Sequence, residues 1–266
     1  MDSPFNSQAA TYDQRVGLPE GIDYAVAQEV LKLAAVQPAE VVLEVGAGTG
    51  QIGQWFTRES VHYIGFDLSP EMSQRFRRRL AFPTVASTLL LADGDQPWPI
   101  RDATVRVIFS SRALHRLHLA HVVAETLRVA HPHGAWLVVG RIQRAPHSLP
   151  AQMQQQLQRL LRHNGFQPRA GERHLDDLLA SYHQHGAEAM APLVVARWRV
   201  ASTPAAALAA WQGNVTLAGL ALQDQEKQTI LTALTRWAEA TFDDLERAVE
   251  SEVAYTLQGV KLRPGV

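Results

Sequence analysis

Three short apolar runs early in the chain each end at a carboxylate: residues 41–45 carry Glu44, residues 61–66 are followed by Asp67, and residues 89–92 by Asp93. Directly after the first run comes Gly46-Ala47-Gly48-Thr49-Gly50. Glycines at alternate positions let the backbone turn tightly and let a ligand approach with no Cβ in the way. Asp67 stands about twenty residues past that turn, the spacing at which an acid accepts hydrogen bonds from two ribose hydroxyls. This is the chemistry of holding a nucleotide-bearing cofactor. His115 follows a fourth apolar run and supplies an imidazole able to take a proton near neutral pH. Its bland alternative is a hydrogen-bonded scaffold residue.

The elements that must position these groups follow from pattern. Residues 41–45 are mostly β-branched and read as a buried strand, and the glycine turn after them opens a helix. Ser69 or Pro70 can start the helix after the second strand. Strands and helices alternate through residue 140, the signature of βαβ units and a parallel sheet covered on both faces. Beyond Gly140 the texture changes. A loop over 141–150 precedes a glutamine-rich helix over 151–162, with Met153, Leu157, Leu160 and Leu161 at helical spacing, which reads as a lid. Further elements are a helix over 175–182, a strand over 192–200, a helix starting at Pro204, a long helix over about 224–249 and a closing strand over 253–262. The expected organisation is a cofactor core at 1–140, lid and sheet continuation at 141–203, a helical cap at 204–250 and a last strand at 251–266.

A nicotinamide dehydrogenase is the main rival, because residues 48–53 also satisfy GxGxxG. Register argues against it. A dinucleotide site places its first glycine directly after the strand so that the helix amino terminus meets a pyrophosphate, and here Gly46 holds that place. Glu44 would also repel a phosphate.

The chain resembles the class I S-adenosylmethionine (SAM) dependent methyltransferases, in the small-molecule group that includes the ubiquinone and menaquinone C-methyltransferases. The likeness runs over about residues 5 to 140. It rests on Phe5, Ala9, Tyr12 and Asp13; on Glu44 to Gly50; on Gly65 to Met72; on Ala92-Asp93-Gly94 with Pro97-Trp98-Pro99; on residues 105–110 followed by Ser111-Arg112-Ala113-Leu114-His115; and on Pro132-His133-Gly134 before the strand 135–139. The resemblance implies a doubly wound, Rossmann-like α/β fold with a seven-stranded, mostly parallel sheet and a helical cap. It also implies SAM as cofactor. By the same resemblance Gly46, Ala47, Gly48 and Gly50 line the methionine and ribose portion, Asp67 holds the ribose, Leu68 and Met72 flank adenine, Asp93 accepts from the adenine amino group and the Gly94 amide donates to the ring. Ser110 and Ser111 fall near the methionine end, Tyr12 and Arg15 close over it, and Glu44 suits its cation, directly or through water. Asp67 and Asp93 have alternatives as helix cap and turn former, and the two serines as small residues allowing close approach. Two departures bear on chemistry: His115-Arg116 replaces a common histidine pair, and Arg106 replaces an aspartate early in the fourth strand.

Composition narrows the function further. A chain of 266 residues, 46% hydrophobic with a formal net charge of -1, suits one large domain or a domain with a cap. With no broad basic field, nucleic acid is not an expected partner, and Arg75 with Arg77-Arg78-Arg79 reads as a solvated helix face. The absence of cysteine excludes disulfides, thiolate metal sites and a cysteine nucleophile. His115, His118 and His121 rotate around a helix without a matching carboxylate, so no metal site is expected. The start of the chain lacks a signal pattern and no apolar run approaches the roughly eighteen residues of a membrane span, which points to a cytoplasmic enzyme. Trp98, Trp198, Trp211 and Trp237 border a substrate cavity or serve as core. The expected function is methyl transfer from SAM to a small, apolar or aromatic acceptor. The alternative from another class is a SAM-binding sensor or accessory protein without transfer activity. The acceptor atom and the oligomeric state have no signature in the sequence.

Overall fold

A run such as Val41–Val45 (β1), apolar at every position but Glu44 and buried from Val42 onward, is stable only when both faces of its sheet are covered. In the computed structural model it lies inside the sheet. The structure describes residues 12–13, 17–80, 86–167, 171–214 and 216–263, with backbone alone at 171–174. In chain order the elements are helix α1 (Ile22–Leu33), β1, a short α2 (Gly53–Phe56), β2 (His62–Asp67), α3 (Pro70–Arg79), β3 (Ser87–Leu91), β4 (Val105–Ser111), a 3-10 turn (Leu114–Arg116), α4 (Leu119–Val129) and β5 (Ala135–Arg144). They continue as α5 (Leu149–His163), α6 (Gly171–His183), β6 (Glu188–Ala189), β7 (Leu193–Ser202), α7 (Pro204–Gly213), α8 (Asp224–Thr241) and β8 (Val249–Leu262).

The strands run in the order β3-β2-β1-β4-β5-β8-β6, with β7 also paired to β8. Pairings among β1 to β5 are parallel and β6 runs antiparallel to β8. The order reverses between β1 and β4. At such a switch point the crevice beyond the strands' carboxyl ends is where ligands bind in open α/β sheets. The glycine turn leaves β1 there, and Ser110 and Ser111 end β4.

The fold class matches expectation, with one correction: eight strands are described rather than seven. The extra one, Glu188–Ala189, is a two-residue pairing to Lys261 and Val260. It is too short to leave an alternation in the sequence. The long helix also stops at Thr241 instead of reaching 249. Phe242 leaves the helix with extended φ and ψ of -113° and 129°, and its ring packs edge-on against Trp237 at 5.6 Å. At the start of α3, Ser69 is the cap, accepting from the Met72 amide at 3.2 Å, with Pro70 in the first helical position.

The chain divides into two compact units, residues 1–141, 171–196 and 255–266 in the first and 142–170 with 197–254 in the second. In the first, Leu43, Phe66, Ile108 and Leu137 from the sheet pack with Val122 of α4 and Leu178 and Tyr182 of α6. Trp98 is core here, stacked obliquely on Phe66 at 5.6 Å. The second unit has its own core of Met153, Leu157 and Leu161 from α5, Leu208 from α7 and Ile230 and Leu234 from α8. Trp211 and Trp237 pack against that core. No helix among the described residues is long and apolar enough to cross a membrane.

Candidate cofactor site

The glycine turn is built from three left-handed residues, Gly46, Gly48 and Gly50, with φ of 73°, 54° and 75°. The amides of Gly46 and Ala47 both donate to the Phe66 carbonyl at 3.0 Å, so the turn is tied to the end of β2. The glycines serve different purposes. A side chain at Gly46 would overlap Ala113, and one at Gly50 would overlap the Phe76 ring. Those two are demanded by packing. A Cβ at Gly48 would meet nothing within 4 Å. Only Gly48 keeps a bare face on open space, as a loop that receives a ligand must.

Asp67 stands beside that face. Its carboxylate accepts the Gly48 amide at 2.8 Å and the Ser69 amide at 2.8 Å. Burial raises its pKa, while backbone donors from Ser69, Gly48 and Leu68 pull it down. A carboxylate offers about four lone-pair sites, so these three donors do not exhaust it. The Gly48–Asp67 bond joins the loop to the acid at the switch point. Leu68 is half-buried next to it, and Met72 is buried in the first turn of α3.

Glu44 differs from its sequence reading. It is 3% exposed, and the Tyr63 hydroxyl donates to its carboxyl at 2.5 Å. Burial pushes its pKa from the ordinary 4.5 up to about 8, with the Tyr63 bond lowering it and Asp67 raising it. Burial, and then Glu44 itself, drive the Tyr63 phenol well above its ordinary value. At neutral pH the pair is therefore mostly neutral, and it presents a hydrogen-bonded acid rather than the charge expected for a sulfonium or ammonium partner.

Asp93 and Gly94 form a tight turn after β3. Asp93 accepts the Asp95 amide at 3.0 Å, and the Gly94 carbonyl accepts the Trp98 indole N–H at 3.0 Å. A side chain at Gly94 would press into Leu117. Glu125 accepts the Trp98 amide at 2.6 Å and is held by Arg128, which lowers its pKa. Arg128 also donates to the carbonyls of Trp98 and Ile100. The Asp93–Gly94 turn is thus held by an indole and an ion pair.

At the end of β4, Ser110 is fully buried and its hydroxyl donates to the Val45 carbonyl at 2.8 Å, so it joins β4 to β1. Ser111 shares a 2.8 Å hydrogen bond with the Tyr255 hydroxyl. Arg112 has a left-handed φ of 63° and lies with its guanidinium 5.6 Å from the Tyr12 ring centre. His115 is half-buried in the 3-10 turn that follows. His118 turns outward to Asp95 at 3.1 Å and His121 meets the Gln96 carbonyl at 2.9 Å. Among the described residues no group of three His, Cys, Asp or Glu gathers to hold a metal. Arg15, Phe5 and Ala9 lie outside the described residues.

The structure therefore brings together Glu44, Gly46 to Gly50, Asp67, Leu68, Met72, Ser110, Ser111 and Tyr12 around the carboxyl ends of β1, β2 and β4, with Asp93 and Gly94 following β3. Sequence reasoning missed Tyr63 and Tyr255, aromatics inside strands whose hydroxyls carry no local signal. It also passed over Arg106 as structure. That residue lies at the opposite end of β4, donating to the Gly134 carbonyl at 2.6 Å and the Ala34 carbonyl at 3.1 Å. The replacement of the aspartate there bears on the fold and not on the site.

Comparison with known proteins agrees with this geometry. Residues 42–134 match a family described as methyltransferase domain. The malonyl-[acyl-carrier protein] O-methyltransferase of Serratia marcescens is 30% identical over 136 residues, covering 51% of this chain and 50% of that protein. The chain thus spans about half the length of the curated relatives it matches. Among solved structures, a protein of Bacillus halodurans C-125 aligns with a TM-score of 0.56 at 16% identity, over 90% of this chain and 99% of that one. A phosphoethanolamine N-methyltransferase of Haemonchus contortus, solved with S-adenosylhomocysteine, aligns at 0.52 and 12% identity, over 98% of this chain and 58% of that one. At such identities the shared property is the fold. Residues 42–134 thus match a methyltransferase domain, and the chain is similar in fold to solved methyltransferases.

Proposed function

We propose that the chain transfers the methyl group of SAM to a small, apolar or aromatic acceptor. The observation that carries this is the bare face of Gly48 hydrogen-bonded to Asp67 at the β1–β4 switch point. The cofactor fits the donor set: an uncrowded backbone for the methionine and ribose portion and a carboxylate with spare acceptor capacity for the ribose hydroxyls. When bound, SAM supplies a methyl group on a positively charged sulfur, open to in-line attack.

The chain's own residues then bind and orient. Asp67 accepts from the ribose hydroxyls, Leu68 and Met72 flank the adenine, and the free Asp93 oxygen accepts from its amino group. Ser110 contributes its small size, since its hydroxyl is committed to Val45, while Ser111 and Tyr12 border the methionine end. Glu44 contributes shape and hydrogen bonding beneath the loop. His115 takes the acceptor's proton or contacts the acceptor, and proximity with exclusion of water supplies most of the rate. Acceptor selection is assigned to the helix 151–162 and the segment 204–250. Nucleic acid is not the acceptor, given the absence of a basic field.

The test is calorimetric titration of the purified chain with SAM and S-adenosylhomocysteine, with NADH as control and Asp67→Ala as site variant. Micromolar binding of both sulfur ligands, lost in the variant, is expected. Binding of neither, or preference for NADH, overturns the proposal. An acceptor screen read by S-adenosylhomocysteine release follows, covering aromatic and isoprenoid metabolites and, because a relative is named for it, a malonyl thioester. A chain that binds SAM and methylates none of these is better described as a SAM-binding sensor.

A further inference from the structure

Asp13 makes more bonds around the glycine turn than any role assigned so far requires. Its Oδ1 accepts the Thr49 hydroxyl at 2.6 Å, its Oδ2 pairs with Arg79, and its carbonyl accepts the Gly17 amide at 2.8 Å. Thr49 is 3% exposed and sits between Gly48 and Gly50, the two left-handed glycines nearest the open face. Arg79 ends α3, the helix that starts three residues after Asp67. A Cβ on Gly17 would overlap the Asp13 carbonyl, so this close approach needs glycine there. Next to it, the Tyr12 ring lies against Arg112, whose guanidinium reaches Gln51 at 3.4 Å.

We propose that Asp13 is a positioning residue for the cofactor turn, a latch that fastens Thr49 and the end of α3 to the segment bearing Tyr12. A turn with three left-handed glycines has many accessible conformations, and a ligand that needs one of them must supply the ordering free energy on binding. The latch supplies part of that ordering beforehand, from a single carboxylate whose two oxygens face two different elements. Arg79, read from sequence as one member of a solvated basic run, is its cationic half. The side chains of Arg79 and Asp13 are 28% and 33% exposed, so the pair is screened in part by salt.

The inference rests on SAM being the ligand of this turn, and the experiment separates the two. S-adenosylhomocysteine affinity is measured by calorimetry on the full chain for wild type, Thr49→Val, Arg79→Met, Arg79→Lys and the Thr49→Val/Arg79→Met double variant, with the melting temperature as a control for folding. Each single loss is expected to weaken binding about 3- to 10-fold, the equivalent of about 0.7 to 1.4 kcal/mol. Arg79→Lys recovers most of the loss. With any acceptor that turns over, the effect falls on the KM for SAM rather than on kcat. The wild-type affinity falls between about 0.05 and 0.5 M salt and that of Arg79→Met does not. Folded variants that bind as tightly as wild type overturn the latch and leave the proposed function intact. A wild type that binds neither SAM nor S-adenosylhomocysteine overturns the proposed function and the latch with it.

Discussion

Replacing Glu44 with glutamine isolates a stability effect that the geometry makes large. The glutamine carbonyl still accepts the Tyr63 hydroxyl, keeps the side-chain volume and cannot ionise. In the wild type, burial raises the Glu44 pKa from 4.5 to about 8. Below pH 4.5 the acid is protonated in both folded and unfolded chains, and nothing is lost. As pH rises toward 8 the unfolded chain releases a proton that the folded chain retains, so stability falls by about 1.4 kcal/mol per pH unit. Over that window the cost is roughly 5 kcal/mol, comparable with a large part of the usual margin of about 5–15 kcal/mol. The assay is urea denaturation of wild type and Glu44→Gln at about pH 5 and pH 8.5, comparing the difference between the two proteins so that every other titrating group cancels. The variant should gain on the wild type by several kcal/mol at the higher pH. A difference that stays constant within about 1 kcal/mol across the range would refute the burial argument and restore a charged Glu44.

Gly48→Leu should abolish SAM binding while the sheet stays folded, because its Cβ meets no protein atom within 4 Å and the left-handed φ of 54° costs about 1–2 kcal/mol. Calorimetry and circular dichroism report the two halves, and retained binding contradicts the placement of the ligand. Arg106→Met should lower stability by about 1–3 kcal/mol, since two carbonyl partners at Gly134 and Ala34 lose their donor, with S-adenosylhomocysteine affinity unchanged within about twofold. A loss of affinity without a loss of stability would return that residue to the chemistry.

What the sequence determined by itself was the periodic and local part. Alternating strands and helices, a glycine turn in the right register after a buried strand, and carboxylates at three strand ends are visible because each depends on neighbours a few residues away. Together with the ordered motifs they carry the resemblance to SAM-dependent methyltransferases and the expected place of the cofactor. Tertiary structure decided which groups share an environment. The Tyr63 hydroxyl reaches Glu44 across 19 residues at a site where burial raises the Glu44 pKa, and Ser111 meets Tyr255 across 144. The bare face of Gly48 and the crowded faces of Gly46 and Gly50 are identical letters in the sequence and differ only in what packs against them. Protonation, burial and open space are properties of surroundings, and for these residues the surroundings come from strands and helices far away in the chain.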